Sequence, residues 1–161
     1  MEIILIKPLE RDDEEWVKTI LEKQWGSVKV VARGKVINAL KLPGFKAVLN
    51  RGNVGLITYF LDKADCEIVT LDSLAEGEGV GSKLIEEVIR IAKENRCRRV
   101  WLITTNDNLN ALRFYQKRGF VLAALYPNAL VQSRKLKPEI PKTGIDGLPL
   151  RDEIELEMKL D

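Results

Sequence analysis

The sequence contains no histidine, and that absence excludes every Ser-His and Cys-His nucleophilic arrangement. It has only two cysteines, Cys66 and Cys97, far apart and with no CxxC pairing, so buried free thiols are expected rather than a disulfide framework or a zinc site. No apolar run approaches the ~18 residues of a membrane span. Met1-Glu2-Ile3-Ile4-Leu5-Ile6-Lys7 reads as a strand and lacks the basic n-region of a signal peptide, so a cytoplasmic location is expected. Charge of one sign is also missing: the net charge is +2 and the pI about 8.5. The basic clusters Arg96/Arg98/Arg99 and Arg134/Lys135/Lys137 lack the interleaved aromatics of a nucleic-acid surface and read as solvated, structural charge. Any chemistry must therefore rest on carboxylates, tyrosine, lysine, hydroxyls or the backbone.

What is present fits one globular domain spanning residues 1–161, 45% hydrophobic and 31% charged. Residues 2–6 predict a strand closed by Pro8. An acidic turn at Asp12-Asp13 then opens a helix to about Gln24, with Trp16, Val17, Ile20 and Leu21 on one face and Gly26 beyond its end. Residues 27–32 read as a short strand, and 33–42 show no clear period. A β-meander follows over 45–49, 54–61 and 66–71, with turns at Asn50–Asn53 and Asp62–Asp65. Val80, Leu84, Ile85, Val88, Ile89 and Ala92 recur at helical spacing, predicting a helix over about 79–95. A buried strand at 99–104, a short helix capped from Asn106, Asp107 or Asn108 and ending at Gly119, and a strand at 120–125 come next. Residues 127–151 form a loop-rich insertion with a helix near 128–137, and an alternating strand at 153–160 closes the chain. The order implies a mixed α/β (α+β) fold with its site near a strand-to-helix turn.

That turn is the sharpest feature: Leu71-Asp72-Ser73-Leu74-Ala75-Glu76-Gly77-Glu78-Gly79-Val80-Gly81-Ser82-Lys83. Alternating glycines permit positive φ and close backbone approach, and the unpaired N–H groups of a helix start favour an anion such as phosphate. A P-loop is excluded because no Gly-Lys-Ser/Thr follows. A dinucleotide fingerprint, and with it a nucleotide-binding redox domain, is disfavoured because Ser82 stands where the third glycine is required.

The segment resembles motif A of the GNAT N-acetyltransferase superfamily, Arg/Gln-x-x-Gly-x-Gly/Ala at a helix start, with Gly79 and Gly81 in the glycine places and Glu76 in the Arg/Gln place. About one β-α-β unit later, Asn108, Ala111, Tyr115, Gly119 and Phe120 match every position of a segment similar to motif B, Asn-x-x-Ala-x-x-x-Tyr-x-x-x-Gly-Phe. The resemblance covers residues 44–126; the insertion is outside it. It implies a mixed, mostly antiparallel central sheet splayed between two parallel strands, here 66–71 and 99–104, and flanked by helices. It also implies acetyl-CoA as co-substrate. Its pantetheine would pair with the strand near Leu71 and Ser73, and its pyrophosphate would be held across Glu76, Gly77, Glu78, Gly79, Val80, Gly81 and Ser82. Asn108 would position the pantetheine, and Tyr115 would bind near the thioester sulfur and protonate it as it leaves.

The expected reaction is transfer of acetyl to a primary amine by direct attack on the thioester. The acceptor is a small molecule or a peptide amine, and no metal, nucleic acid or membrane takes part. The alternative is a GNAT-fold module that binds acyl-CoA without turnover, as a sensor or structural partner. For a general base the sequence offers Glu67 on the strand before the turn and Asp72 at its end, or water alone. Regular alternation places Glu67 and Thr70 on opposite faces of that strand. Glu76 and Glu78 bring two negative charges to a phosphate-binding loop, with Lys83, Arg113 and Lys117 as compensating cations. The acceptor pocket is expected from residues 11–42 and 127–151, the latter as a lid, a wall or a homodimer contact.

Overall fold

The computed structural model describes residues 3–161. Strand β1 (Leu5–Pro8) starts later than the 2–6 expected, and Glu2 of that expectation lies outside the described residues. Pro8 is the last strand residue rather than a stop beyond it. This is allowed because β1 is an edge strand, where a missing N–H can face the open side.

Helix α1 (Glu14–Trp25) follows a 3-10 turn at Arg11–Asp13. Asp13 accepts the Glu10 N–H through Oδ2 at 2.9 Å and the Lys46 ammonium through Oδ1 at 2.6 Å, which ties the start of α1 to strand β4 (Gly44–Leu49). Burial pushes the Asp13 carboxyl up, but the Lys46 ammonium and the Glu10 N–H outweigh it and hold it below its usual value. Val17, Ile20 and Leu21 are the buried face. Gly26, at φ 78°, ends the helix in the left-handed region and donates its N–H to Glu22 at 3.0 Å.

The stretch 33–42, unresolved by periodicity, contains strand β3 (Lys35–Asn38) and a 3-10 turn at Ala39–Lys41. Strand β3 pairs with β2 (Lys29–Ala32) in a separate two-stranded sheet around Arg33-Gly34, both at positive φ as a two-residue hairpin turn requires.

The meander expected from residue 45 onward is β4, β5 (Gly52–Asp62) and β6 (Asp65–Ser73), all antiparallel. Its register corrects one expectation. Thr58 pairs with Thr70 but Tyr59 pairs with Ile68, so Val69 is an extra residue on β6. Thr58 and Tyr59 point to opposite faces of the regular strand β5, so Thr70 and Ile68 do too. Glu67 therefore shares a face with Thr70 and Asp72, not the opposite face that unbroken alternation predicts. The Thr58 and Thr70 hydroxyls, 2.6 Å apart, mark that face.

Helix α2 (Val80–Glu94) covers the other face. A Cβ at Gly55 would lie 2.4 Å from Val80 Cγ1 and 3.0 Å from Leu84 Cδ1, so only glycine admits the helix this close to β5. Val80, Leu84, Ile85, Val88 and Ala92 are its buried stripe, at the expected spacing.

The remaining elements are β7 (Arg99–Thr105), α3 (Leu109–Lys117), β8 (Val121–Tyr126), α4 (Ala129–Leu136) and β9 (Glu153–Lys159). Among the described residues, the seven strands other than β2 and β3 make the expected α+β fold, a mixed sheet with a parallel pair accompanied by four helices. By contacts the chain forms two compact units. The first takes the residues up to Val30, Asn38–Val100 and Leu160–Asp161, with strand order β1-β4-β5-β6 and then the start of β7. Its core includes Leu21, Leu56, Ile57, Leu84 and Val88, and in it Arg98 and Arg99 each reach Asp65 at 3.2 Å. Cys66 and Cys97 are buried and free, as expected, and burial pushes the Cys66 thiol up to about 12. The second unit takes Val31–Ile37 and Trp101–Lys159, with order β7-β9-β8 and a core around Leu102, Phe120, Leu130 and Leu156. Among the described residues no helix is long and apolar enough to cross a membrane.

Candidate active site

In the first unit, β6 delivers the chain to the glycine turn. Leu71 is half-buried on the strand, and Ser73 is exposed with its hydroxyl donated to the Ala75 carbonyl at 3.2 Å. The loop is fastened at its root by the Leu74 N–H, donated to the Val54 carbonyl at 2.7 Å. Gly77 and Gly79 both stand in the left-handed region, at φ 75° and 73°, and a Cβ at either would meet nothing within 4 Å. Gly79 is the residue at which α2 begins, and no side chain caps the helix there. Val80, Gly81 and Ser82 form the first helical turn. Glu76 and Glu78 are exposed. A left-handed loop opening into an uncapped helix start fits a pyrophosphate, which backbone N–H groups and the helix dipole would hold. The two glutamates are the only part of the loop whose charge opposes that ligand.

Asp72 sits two residues before the loop, on the face away from α2. Its Oδ2 accepts the indole N–H of Trp25, the last residue of α1, at 3.0 Å. Burial pushes the Asp72 carboxyl up, and the Trp25 hydrogen bond only partly offsets this, leaving it at about 6. Glu67 is on the same face but four steps along the paired strand, Phe60 to Leu56 on β5, or roughly 13 Å away. The structure thus gathers Leu71, Ser73 and 76–82 around one turn, with Asp72 at its entrance, and leaves Glu67 apart from them. A cavity of about 240 Å³ opens by Leu9, Glu10, Glu14 and Leu42. It is at the other end of α1 from Trp25, a helix length of roughly 18 Å.

In the second unit, α3 and its cap carry the two motif-B residues with expected roles, Asn108 and Tyr115. Asn108 is the cap, its Oδ1 accepting the Ala111 N–H at 3.1 Å, so its amide NH2 is the group that points beyond the cap's own bond. Tyr115 follows seven residues later, nearly two turns, and so lies on the same helix face about 10 Å along the axis. It is 7% exposed and packs edge-on against Phe114 and Phe120, with ring centroids 5.2 and 5.4 Å away.

Of the three cap candidates only Asn108 caps. Asn106 and Asp107 instead hold the C-terminal insertion. Asn106 donates to the Pro149 carbonyl at 2.7 Å and accepts the N–H groups of Arg151 and Asp152. Asp107, 4% exposed, accepts the Thr105 hydroxyl at 2.5 Å and the Ile145 N–H at 2.9 Å. Arg134 of α4 adds bonds to the carbonyls of Ile140, Pro141 and Leu150. The insertion is therefore a strap, pinned to the residues next to Asn108. The Arg33 N–H likewise bonds the buried Glu153 carboxylate at 3.1 Å, and its guanidinium stacks 3.3 Å over Tyr126. Burial pushes the Glu153 carboxyl up, and Arg33 lowers it only in part.

Sequence reasoning missed the Trp25–Asp72 pair and the strap anchors. Both join residues tens of positions apart, and the only local sign was Trp25 standing directly before the helix-ending Gly26.

Comparison with known proteins is consistent with this geometry. The Acetyltransferase (GNAT) family matches residues 42–120, which includes the β6–α2 loop and the whole of α3. The uncharacterized protein YdhI of Bacillus subtilis (strain 168) is 42% identical over 153 residues, 94% of this chain and 96% of YdhI. Among solved structures, an IAA acetyltransferase from Bacillus cereus superposes with a TM-score of 0.71 at 18% identity, covering 98% of this chain and 100% of that one. A GNAT family acetyltransferase from Elizabethkingia anophelis with acetyl-CoA bound has a TM-score of 0.68 at 20% identity, covering 98% of each chain. These matches carry the identification: the chain belongs to the GNAT acetyltransferase family.

Proposed function

We propose that the chain is an acetyl-CoA-dependent N-acetyltransferase that acts on a primary amine by direct transfer. The observation that carries the reading is Asp72, a carboxylate at the mouth of the glycine loop that accepts the Trp25 indole N–H on one oxygen and that burial raises to about 6. The co-substrate supplies an activated acetyl group as a thioester. The N–H groups of Gly77–Ser82 bind its pyrophosphate, and the Asn108 amide binds its pantetheine arm.

Asp72 receives the proton of the attacking nitrogen as the C–N bond forms, when that nitrogen becomes far more acidic than the free ammonium. A carboxyl titrating at about 6 is ionised at neutral pH and still basic enough to accept that proton. When the C–S bond breaks, its electron pair goes to sulfur, and the Tyr115 hydroxyl donates the proton that sulfur takes up. A phenol of pKa about 10 is close in acidity to the thiol it forms, so this transfer needs little driving force. Asp72 replaces Glu67 as the base in this reading, because Glu67 is set back along β6, away from the loop.

The test is release of free CoA thiol from acetyl-CoA across a panel of primary amines: monoamines, polyamines, lysine and short peptides. Turnover with one of them supports an enzyme. Tight binding with no turnover for any amine favours the sensor alternative. Stabilisation by NAD but not by acetyl-CoA in a thermal-shift comparison would contradict both.

A further inference from the structure

We propose that Trp25 is a positioning residue, which uses its indole N–H to hold one oxygen of Asp72 so that the other faces the acceptor amine. The inference rests on the reading of Asp72 as the base and concerns how that base is held.

Helix α1 stops immediately after Trp25 because Gly26 turns into the left-handed region. The indole is thereby fixed in the final helical turn, with Nε1 3.0 Å from Asp72 Oδ2. Among the described residues this is the single hydrogen-bond donor to the carboxylate, from a residue 47 positions away in the chain. One donor on one oxygen restricts rotation of the carboxylate and leaves Oδ1 for a substrate proton. Trp25 thus accounts for a base that is both oriented and incompletely satisfied.

No charged neighbour substitutes for this contact. In the row of paired residues Lys46–Leu56–Asp72, Lys46 on β4 stands two strand spacings away, roughly 10 Å, and is engaged by Asp13 at 2.6 Å. Lys7 on β1 lies one strand further. On β5 the partner is Leu56, which carries no charge. Glu22 and Lys23 on α1 are exposed, Glu67 is roughly 13 Å along the strand pair, and Glu76 and Glu78 are exposed in the loop. A hydrogen bond to an ionised carboxylate stabilises the charged form, so its removal raises the pH at which Asp72 ionises.

The experiment compares wild type, Trp25→Phe and Asp72→Asn. In the full-length protein without ligand, the indole emission of wild type is expected to titrate with a midpoint near 6, and Asp72→Asn is expected to lose that titration. In turnover with acetyl-CoA and the best acceptor, the acid limb of kcat/KM in Trp25→Phe is expected to move up by about one pH unit, so that the loss at pH 6 exceeds the loss at pH 8 roughly fivefold. A purely structural role for Trp25 would lower the rate equally at both pH values. An inactive Asp72→Asn beside a Trp25→Phe limb at its wild-type position overturns the positioning role alone. Undiminished kcat/KM in Asp72→Asn overturns the base and, with it, the positioning. If Trp25→Phe does not fold, wild-type emission that fails to titrate near 6, or that titrates unchanged in Asp72→Asn, overturns the pair.

Discussion

Replacing Asp72 by asparagine is expected to stabilise the protein and disable it at once. The carboxyl titrates at about 6 in the fold against an ordinary value of 3.8, a difference of about two units. A folded-state pKa above the unfolded one means a stability contribution that is fully present below about pH 4 and lost as pH rises through 6. Above pH 7 the ionised side chain therefore costs the fold up to about 3 kcal/mol, at about 1.4 kcal/mol per unit. Asparagine is nearly isosteric, and its carbonyl oxygen can still accept the Trp25 N–H. Its own amide must be solvated, so the net gain expected at pH 8 is about 1–2 kcal/mol, or roughly 2–8 °C in Tm for a chain of this size. At pH 4 the charge penalty is largely gone while the amide's cost remains, so the variant is expected to melt slightly below wild type. Over the same substitution kcat/KM at pH 7.5 should fall by about 10²–10⁴. Thermal melts at pH 4 and 8, with initial rates at pH 7.5, supply all three readings. A variant that melts at or below wild type at pH 8, with the same difference at pH 4, refutes the assignment of a destabilising charge to Asp72.

Three further outcomes are expected. Tyr115→Phe keeps the ring contacts to Phe114 and Phe120 but removes the proton donor, so kcat should fall about 10²-fold with acetyl-CoA affinity unchanged; equal losses in both would assign Tyr115 to binding instead. Glu76→Gln removes a charge roughly 6 Å from the proposed pyrophosphate, relieving about 0.7–3 kcal/mol of repulsion; calorimetry should show tighter acetyl-CoA binding, more so at low salt, and no gain would refute the repulsion account. Asp107→Ala leaves the Ile145 N–H and the Thr105 hydroxyl without their acceptor, the buried Asp107 carboxylate, and should cost about 1–3 kcal/mol; limited proteolysis should then cut within 138–150, and a wild-type Tm with an intact strap would contradict the anchoring.

The legible parts of this protein were those written in local pattern. The stripe Val80, Leu84, Ile85, Val88 and Ala92 announced α2, and the glycines before it announced the left-handed turn from which that helix starts. A cap among Asn106, Asp107 and Asn108 was readable because a capping side chain acts within three residues of itself, and the structure gives that role to Asn108. The bulge at Val69 was not readable: Cys66–Leu71 is largely apolar, so inserting one residue leaves no break in pattern, yet it moves Glu67 to the other face. The Trp25 contact to Asp72 and the grip of Asn106 and Asp107 on the strap were equally hidden. They depend on where the chain returns in space, and hydrogen bonds between residues 38 to 47 positions apart impose no period on the sequence. Arg33-Gly34 showed only half its signal, since Gly34 marks a turn but an arginine at positive φ is not predicted by its type.

The central claim is acetyl transfer from acetyl-CoA to an amine nitrogen with Asp72 as the base. It is tested most directly by incubating wild type and Asp72→Asn with acetyl-CoA and the amine panel at pH 7.5, and following free thiol together with the mass of each amine. The account predicts that one class of amine gains a single acetyl group in step with thiol release, and that Asp72→Asn, still folded and still binding acetyl-CoA, forms at least a hundredfold less product. Acetylated product formed at equal rates by both proteins, or none from either despite bound acetyl-CoA, would contradict it.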